Sequence, residues 1–170
     1  MDERLASLLV DLSDMSDEEA EQAVLTMYGE LYLTRGKSPK RTGAIHAHDE
    51  ERVVFFEDRF DHAFAATVAW LKKGPFDRRR GERVAWIGTV VRGEIAGTEC
   101  WLMPPEDRRP PPNDRLRRRL YIVREESYVV WLEPLRSGGW KFSSAYVAGH
   151  GDIRRYQRLG RRFWAQKNTP

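Results

Sequence analysis

The most constraining feature of the chain is a texture that begins near residue 97. Four runs, "GTECWLM", "RRRLYIVRE", "SYVVWLEPL" and "WKFSSAYV", follow one another, rich in β-branched and aromatic residues and separated by turn or loop signals. The second and third lie so close that only a tight hairpin around Glu125–Ser127 connects them. The segment "PPEDRRPPPNDR" between the first two is a proline-rich loop that cannot enter a sheet interior. Strands joined this closely form an antiparallel meander, which must bury a face against helices from elsewhere in the chain.

Those helices are sought upstream. Leu5, Leu8, Leu9 and Leu12 have helical spacing over residues 3–14. Ser16 followed by Glu19 forms a capping box that opens a second helix, with Ala20, Val24, Met27, Tyr28 and Leu31 on one stripe. "TRGKSPKRTG" breaks all periodicity and reads as a linker. "RVVFFE" reads as a strand. "DRFDHAFAATVAWLKK" reads as a helix with Phe60, Phe64, Val68 and Leu71 buried. "RVAWIGTVVRG" leans to helix through Val84, Ile87, Val90 and Val91, and "DIRRYQRLGRRFW" is a basic helical tail interrupted by Gly160. The expected fold class is α+β: N-terminal helices on a four-stranded antiparallel sheet, with a C-terminal basic helix. Residues 1–40 form an acidic helical arm and linker, and residues 41–170 the main domain.

Charge sharpens that division. Residues 1–33 hold nine acids and one base, a balance of −8; set against +3 for all 170 residues, this leaves +11 for residues 34–170. A basic body suggests a polyanionic partner. The arm either covers that body and restrains access to it or completes its core. The single cysteine, Cys100, excludes an internal disulfide and a cysteine zinc cluster. No run approaches the roughly 20 apolar residues of a membrane span, and "MDERLASLLVDLSDM" lacks the basic start of a signal peptide, so a cytoplasmic protein that does not engage membranes is expected.

Candidate chemistry is sparse. There is no nucleophile elbow, P-loop or dinucleotide-binding glycine pattern. His46 and His48 have an HxH spacing but no third ligand motif. His62 sits between Phe60 and Phe64, either as a hydrogen-bonded boundary residue or as a proton-transfer group at a cleft rim. Arginine-rich runs from Arg78 to Arg83, from Arg115 to Tyr121 and around Tyr156 interleave guanidinium groups with aromatic rings, a composition suited either to phosphates and unpaired bases or to a solvated face. In "WKFSSAYV", a period of two places Phe142, Ser144 and Tyr146 on one face and Lys141, Ser143, Ala145 and Val147 on the other.

In order, "DHAF", "ERVAWI", "RLYIV", "YVVWL" and "FSSAY" resemble the phage-associated barnase–EndoU–colicin–RelE-like nucleases, the BECR fold, over roughly residues 45–160. The resemblance implies a metal-independent endoribonuclease of phage or toxin systems, using no cofactor. It implies helices on a four-stranded antiparallel sheet and a site built from a histidine, a basic residue, a hydroxyl residue and a tyrosine. Carried onto this chain, these are His62, Arg83, Ser144 and Tyr146, with Arg80, Arg119, Tyr121 and Phe142 as substrate contacts. Ser144 stands where the family pattern often has threonine, and the acidic arm has no counterpart in that pattern. The expected reaction is attack of the RNA 2′-hydroxyl to leave a 2′,3′-cyclic phosphate. RNA is the expected partner, with an acidic antitoxin or immunity protein as a further candidate. The alternatives are a nucleic-acid-binding protein without catalysis and a phage structural or interaction module.

Overall fold

The computed structural model describes residues 1–68, 72–105 and 118–166. Its centre is the meander: β5 (Thr98–Met103), β6 (Arg118–Val123), β7 (Tyr128–Pro134) and β8 (Trp140–Val147), each antiparallel to the next. Most of the proline-rich segment, from residue 106 to 117, lies outside the described residues.

The sheet is wider than four strands and not wholly antiparallel. β1 (Thr42–His46) and β2 (Arg52–Phe56) form a hairpin, and β2 runs parallel to β8. β9 (Arg161–Ala165) closes the other side against β5, which gives a seven-stranded mixed sheet in the order β1-β2-β8-β7-β6-β5-β9. The expected four-stranded antiparallel sheet is therefore corrected, although the class remains α+β. Three strands make up the difference: β2 matches the strand expected at "RVVFFE" but joins the sheet beside β8, and β1 and β9 are new. β1 begins inside the stretch taken for linker, and β9 follows directly on a helix in the stretch taken wholly for helical tail.

Five of the helices pack on one face of this sheet or around its edge. α1 (Glu3–Ser7) is far shorter than the expected 3–14, because the backbone N–H of Val10 donates to the carbonyl of Glu82 instead of continuing the helix. α2 (Asp17–Tyr32) starts at the capping box: the Ser16 hydroxyl accepts from the Glu19 amide at 3.3 Å, and the Glu19 carboxylate accepts from the Ser16 amide at 2.8 Å. Its buried ridge is Ala20, Val24, Tyr28 and Tyr32, a run of i, i+4 steps that leaves Leu31 exposed.

The expected helix over 58–73 is replaced by a 3-10 turn, the single helical turn α3 (Phe60–Ala63) and the strand β3 (Ala65–Val68), which pairs with β4 (Lys72–Phe76). Thr67 and Val68 are β-branched and favour that strand. Phe60 and Phe64 are buried as expected, while Leu71 lies outside the described residues. α4 (Arg78–Gly81) and α5 (Trp86–Val91) follow, and every residue of α5 is buried. Tyr32 Oη fixes the start of α5 by donating to the Val84 carbonyl at 2.7 Å and accepting from the Gly88 amide at 3.0 Å.

The two faces of the sheet carry separate cores. Alternation along β6 and β7 sends Tyr121, Val123, Tyr128, Val130 and Leu132 toward α1, α2 and α5, where Phe55 stacks on Tyr32 at 4.4 Å and on Phe142 at 5.1 Å. Leu5, Leu12, Val24 and Tyr28 belong to this same core, so the acidic N-terminal segment completes it. The opposite face presents Leu120, Ile122, Val129 and Trp131 to α6 (His150–Leu159), through Ile153 and Tyr156. Among the described residues no helix is long and apolar enough to cross a membrane.

Candidate active site

The site begins with an irregularity in β8. Trp131 pairs with Ser144 and Leu132 with Phe142, so Ser143 is an extra residue opposite the β7 ladder, a β-bulge. The bulge resets the alternation. Phe142 turns into the helical core beside Ala145, whereas Ser143, Ser144 and Tyr146 line the α6 face. A strict period of two assigns Phe142 and Ser143 to the wrong sides.

These residues form one wall of a cleft of about 390 Å³. Trp131 and Glu133 of β7, Arg118 of β6, Met103 of β5, and Arg155 and Tyr156 of α6 complete its floor and far wall. The near rim is Arg59 and His62, carried by the 3-10 turn and α3. Their position follows from the sheet: β2 pairs with β8 only at Val53–Trp140 and Val54–Lys141, and beyond that point α3 and α4 pack against β8. Arg80 of α4 reinforces this corner. It donates to the Ala63 carbonyl at 3.2 Å and lies over the Tyr146 ring at 5.1 Å.

The electrostatics of the cleft are cationic. Among the described residues, Arg59, Arg118 and Arg155 line the cleft with one carboxylate, Glu133. Burial would raise the Glu133 carboxyl, but the Lys141 ammonium at 2.9 Å, the Ser143 hydroxyl at 3.1 Å and Arg59 at 3.7 Å together hold it below its ordinary value. It is thus a clamped anion that orients its neighbours. The floor is aromatic: Trp131 meets Tyr156 edge-on at 5.2 Å, and Arg118 lies over Trp131 at 4.5 Å. Tyr146 Oη accepts from Trp131 Nε1 at 3.2 Å and shares a hydrogen bond with Tyr156 Oη at 3.0 Å. Burial first, and this pairing second, push the Tyr146 hydroxyl well above its ordinary range, so it stays protonated. The His62 imidazole and the Ser144 hydroxyl make no hydrogen bond among the described residues and are open to a ligand.

Of the residues expected at a site, His62, Ser144 and Tyr146 line this cleft, and Arg80 touches it through Tyr146. The other four lie elsewhere. Arg83 donates to the Arg79 carbonyl at 2.7 Å and covers Trp86 at 5.0 Å. Phe142 is core. Arg119 and Tyr121 project from the helical face of β6. There Arg119 holds Asp49 in a two-pronged ion pair at 3.1 and 2.7 Å, and Tyr121 Oη bonds His48 Nδ1 at 2.8 Å beneath a His48–Trp164 stack at 3.9 Å. Desolvation lowers the His48 imidazole there; Asp49 opposes and Arg119 assists. His46 ends β1 and lines no described cleft.

Arg59, Trp131, Glu133 and Ser143 carry no site signal in the sequence, and Arg118, Arg155 and Tyr156 are marked there only as members of arginine-rich runs. Alternation on β6 was a usable signal: if Arg119 and Tyr121 share a face, Arg118 takes the other.

Fold and cleft together define an α+β protein with a cationic, hydroxyl- and aromatic-lined groove beside a sheet bulge. Comparison with protein-family models, curated proteins and solved structures finds no match to the chain.

Proposed function

We propose that the cleft binds RNA and cleaves it as an endoribonuclease. The observation that carries this reading is the meeting of His62, Ser144 and Tyr146 with Arg59, Arg118 and Arg155 around one cavity of nucleotide size. RNA supplies its own nucleophile in the 2′-hydroxyl, so the protein must remove one proton and stabilise the charge that develops on phosphorus. Tyr146 stays protonated and Glu133 is clamped by Lys141 and Ser143, so proton removal is assigned to His62. The three arginines neutralise the phosphorane, a role the sequence reading gave to Arg83. Ser144 orients a phosphate oxygen, and Trp131 with Tyr156 offers an aromatic floor for a base. Attack forms the 2′-O–P bond and breaks the P–O5′ bond; His62 returns its proton to the leaving 5′-oxygen directly or through water. The product ends are a 2′,3′-cyclic phosphate and a 5′-hydroxyl.

The test is purified protein with RNA in EDTA. Cleavage to cyclic-phosphate ends is expected, with a decrease of about 10²-fold or more in His62→Ala. Loss of wild-type cleavage in EDTA, or full activity in His62→Ala, overturns the reading.

One observation favours a binding protein without catalysis: among the described residues no carboxylate orients His62, whose imidazole is exposed. On that reading RNA binds with a steep salt dependence and is recovered intact.

A further inference from the structure

The cleft accounts for one flank of α6. Arg155 lines it, while Arg154 and Arg158, turned about 100° and 60° from Arg155 around the same exposed face of the helix, do not. They line a shallow groove of about 590 Å³ with Gly151 and Gln157. A second groove, of about 290 Å³, adjoins it and shares Arg154 and Gln157, adding Arg124 and His150. Among the described residues no carboxylate lines either groove. Arg124 is neutralised by Glu99 at 2.9 Å, but Arg154 and Arg158 have no acidic partner among the described residues. Arg154 and Arg158 are four residues apart, a rise of about 6 Å along the helix, so their guanidinium groups stand in a row.

We infer that the outer face of α6 is a second anion-binding track that holds the phosphate backbone of a single-stranded RNA leaving the cleft, with Arg154 and Arg158 as its contacts. The inference rests on the RNA reading of the cleft and extends it: Arg155 holds the strand at the cleft, and Arg158 and Arg154, successively further round the exposed face of α6, hold its continuation. A helix with side chains is about 10 Å across, so a dinucleotide fills the cleft alone while a longer strand reaches the track. Guanidinium groups suit this role because they pair with phosphate oxygens without reading the base.

The test uses fluorescent 2′-O-methyl oligoribonucleotides, which lack the attacking hydroxyl: a dinucleotide and a strand of about twelve nucleotides. Binding is measured across a salt series for wild type, Arg154→Gln/Arg158→Gln and Arg154→Lys/Arg158→Lys, with thermal melting to verify folding. The glutamine variant is expected to bind the long strand at least tenfold more weakly at low salt. Its slope of log affinity against log salt should flatten by about 1.4, at about 0.7 for each phosphate that is no longer neutralised. Its dinucleotide binding stays at the wild-type level, and the lysine variant keeps most of the slope. A glutamine variant with unchanged affinity and slope overturns the track. So does a variant that keeps RNA binding but no longer binds poly-glutamate, which would assign the face to an acidic protein. If wild type cleaves unmodified RNA while these outcomes occur, only the track fails; if wild type neither binds the dinucleotide nor cleaves RNA, the reading of the cleft fails with it.

Discussion

Single residues on β6 show how finely the sheet sorts chemistry. Arg118 and Arg119 are adjacent, yet one covers Trp131 in the cleft and the other is buried on the opposite face against Asp49. Arg119 therefore serves the fold. Replacing it with methionine strands the partly buried Asp49 carboxylate and should destabilise the protein by about 2 kcal/mol, within the range for breaking such bonds. RNA affinity of the folded Arg119→Met protein should equal that of wild type. Urea denaturation and a binding titration check both halves, and a selective drop in RNA affinity would return Arg119 to the substrate contacts. Nothing in the local sequence separates the two arginines except parity along the strand. Parity was legible on β6 and failed on β8, where one extra serine shifts it. A bulge depends on the partner strand's ladder, so the sequence of β8 alone does not reveal it.

Elements differ in how much of their own structure they encode. α2 announces itself through Ser16 and Glu19, because a capping box is local chemistry. The meander is legible because short gaps leave antiparallel pairing as the simple solution. β1 and β9 were hidden because their identity comes from the sheet edges they join. α3 was misjudged in length: its apolar spacing is sound for one turn, and then β3 takes over. That single turn carries His62, has no side-chain cap at its N-terminus, and lies where β2 no longer pairs with β8. Its amides should exchange with solvent faster than those of β6 and β7, which are paired on both sides. Hydrogen-exchange measurements should find the 60–63 amides slowed by a bound oligonucleotide. Uniform protection across α3 and β7 in the free protein would contradict this.

At the scale of the whole molecule, the N-terminal 33 residues and the rest share one core. Leu5, Leu12, Ala20, Val24, Tyr28 and Tyr32 are all buried in it. At about 1.5–3 kcal/mol for each large apolar side chain, their removal rivals the roughly 5–15 kcal/mol by which domains are typically stable. Deleting residues 1–33 should thus abolish the cooperative melt, seen by circular dichroism. A truncated protein that melts cooperatively and cleaves RNA faster would support the alternative, in which the acidic segment restrains access. The same packing has a consequence for encounters. The acidic helix α2 packs on one face of the sheet and the arginine-bearing α6 on the other, so these two elements carry opposite charge on opposite faces. A polyanion diffusing toward it meets repulsion from one side and attraction from the other. An RNA bound as proposed should therefore associate more slowly as salt is added, which stopped-flow binding across a salt series checks.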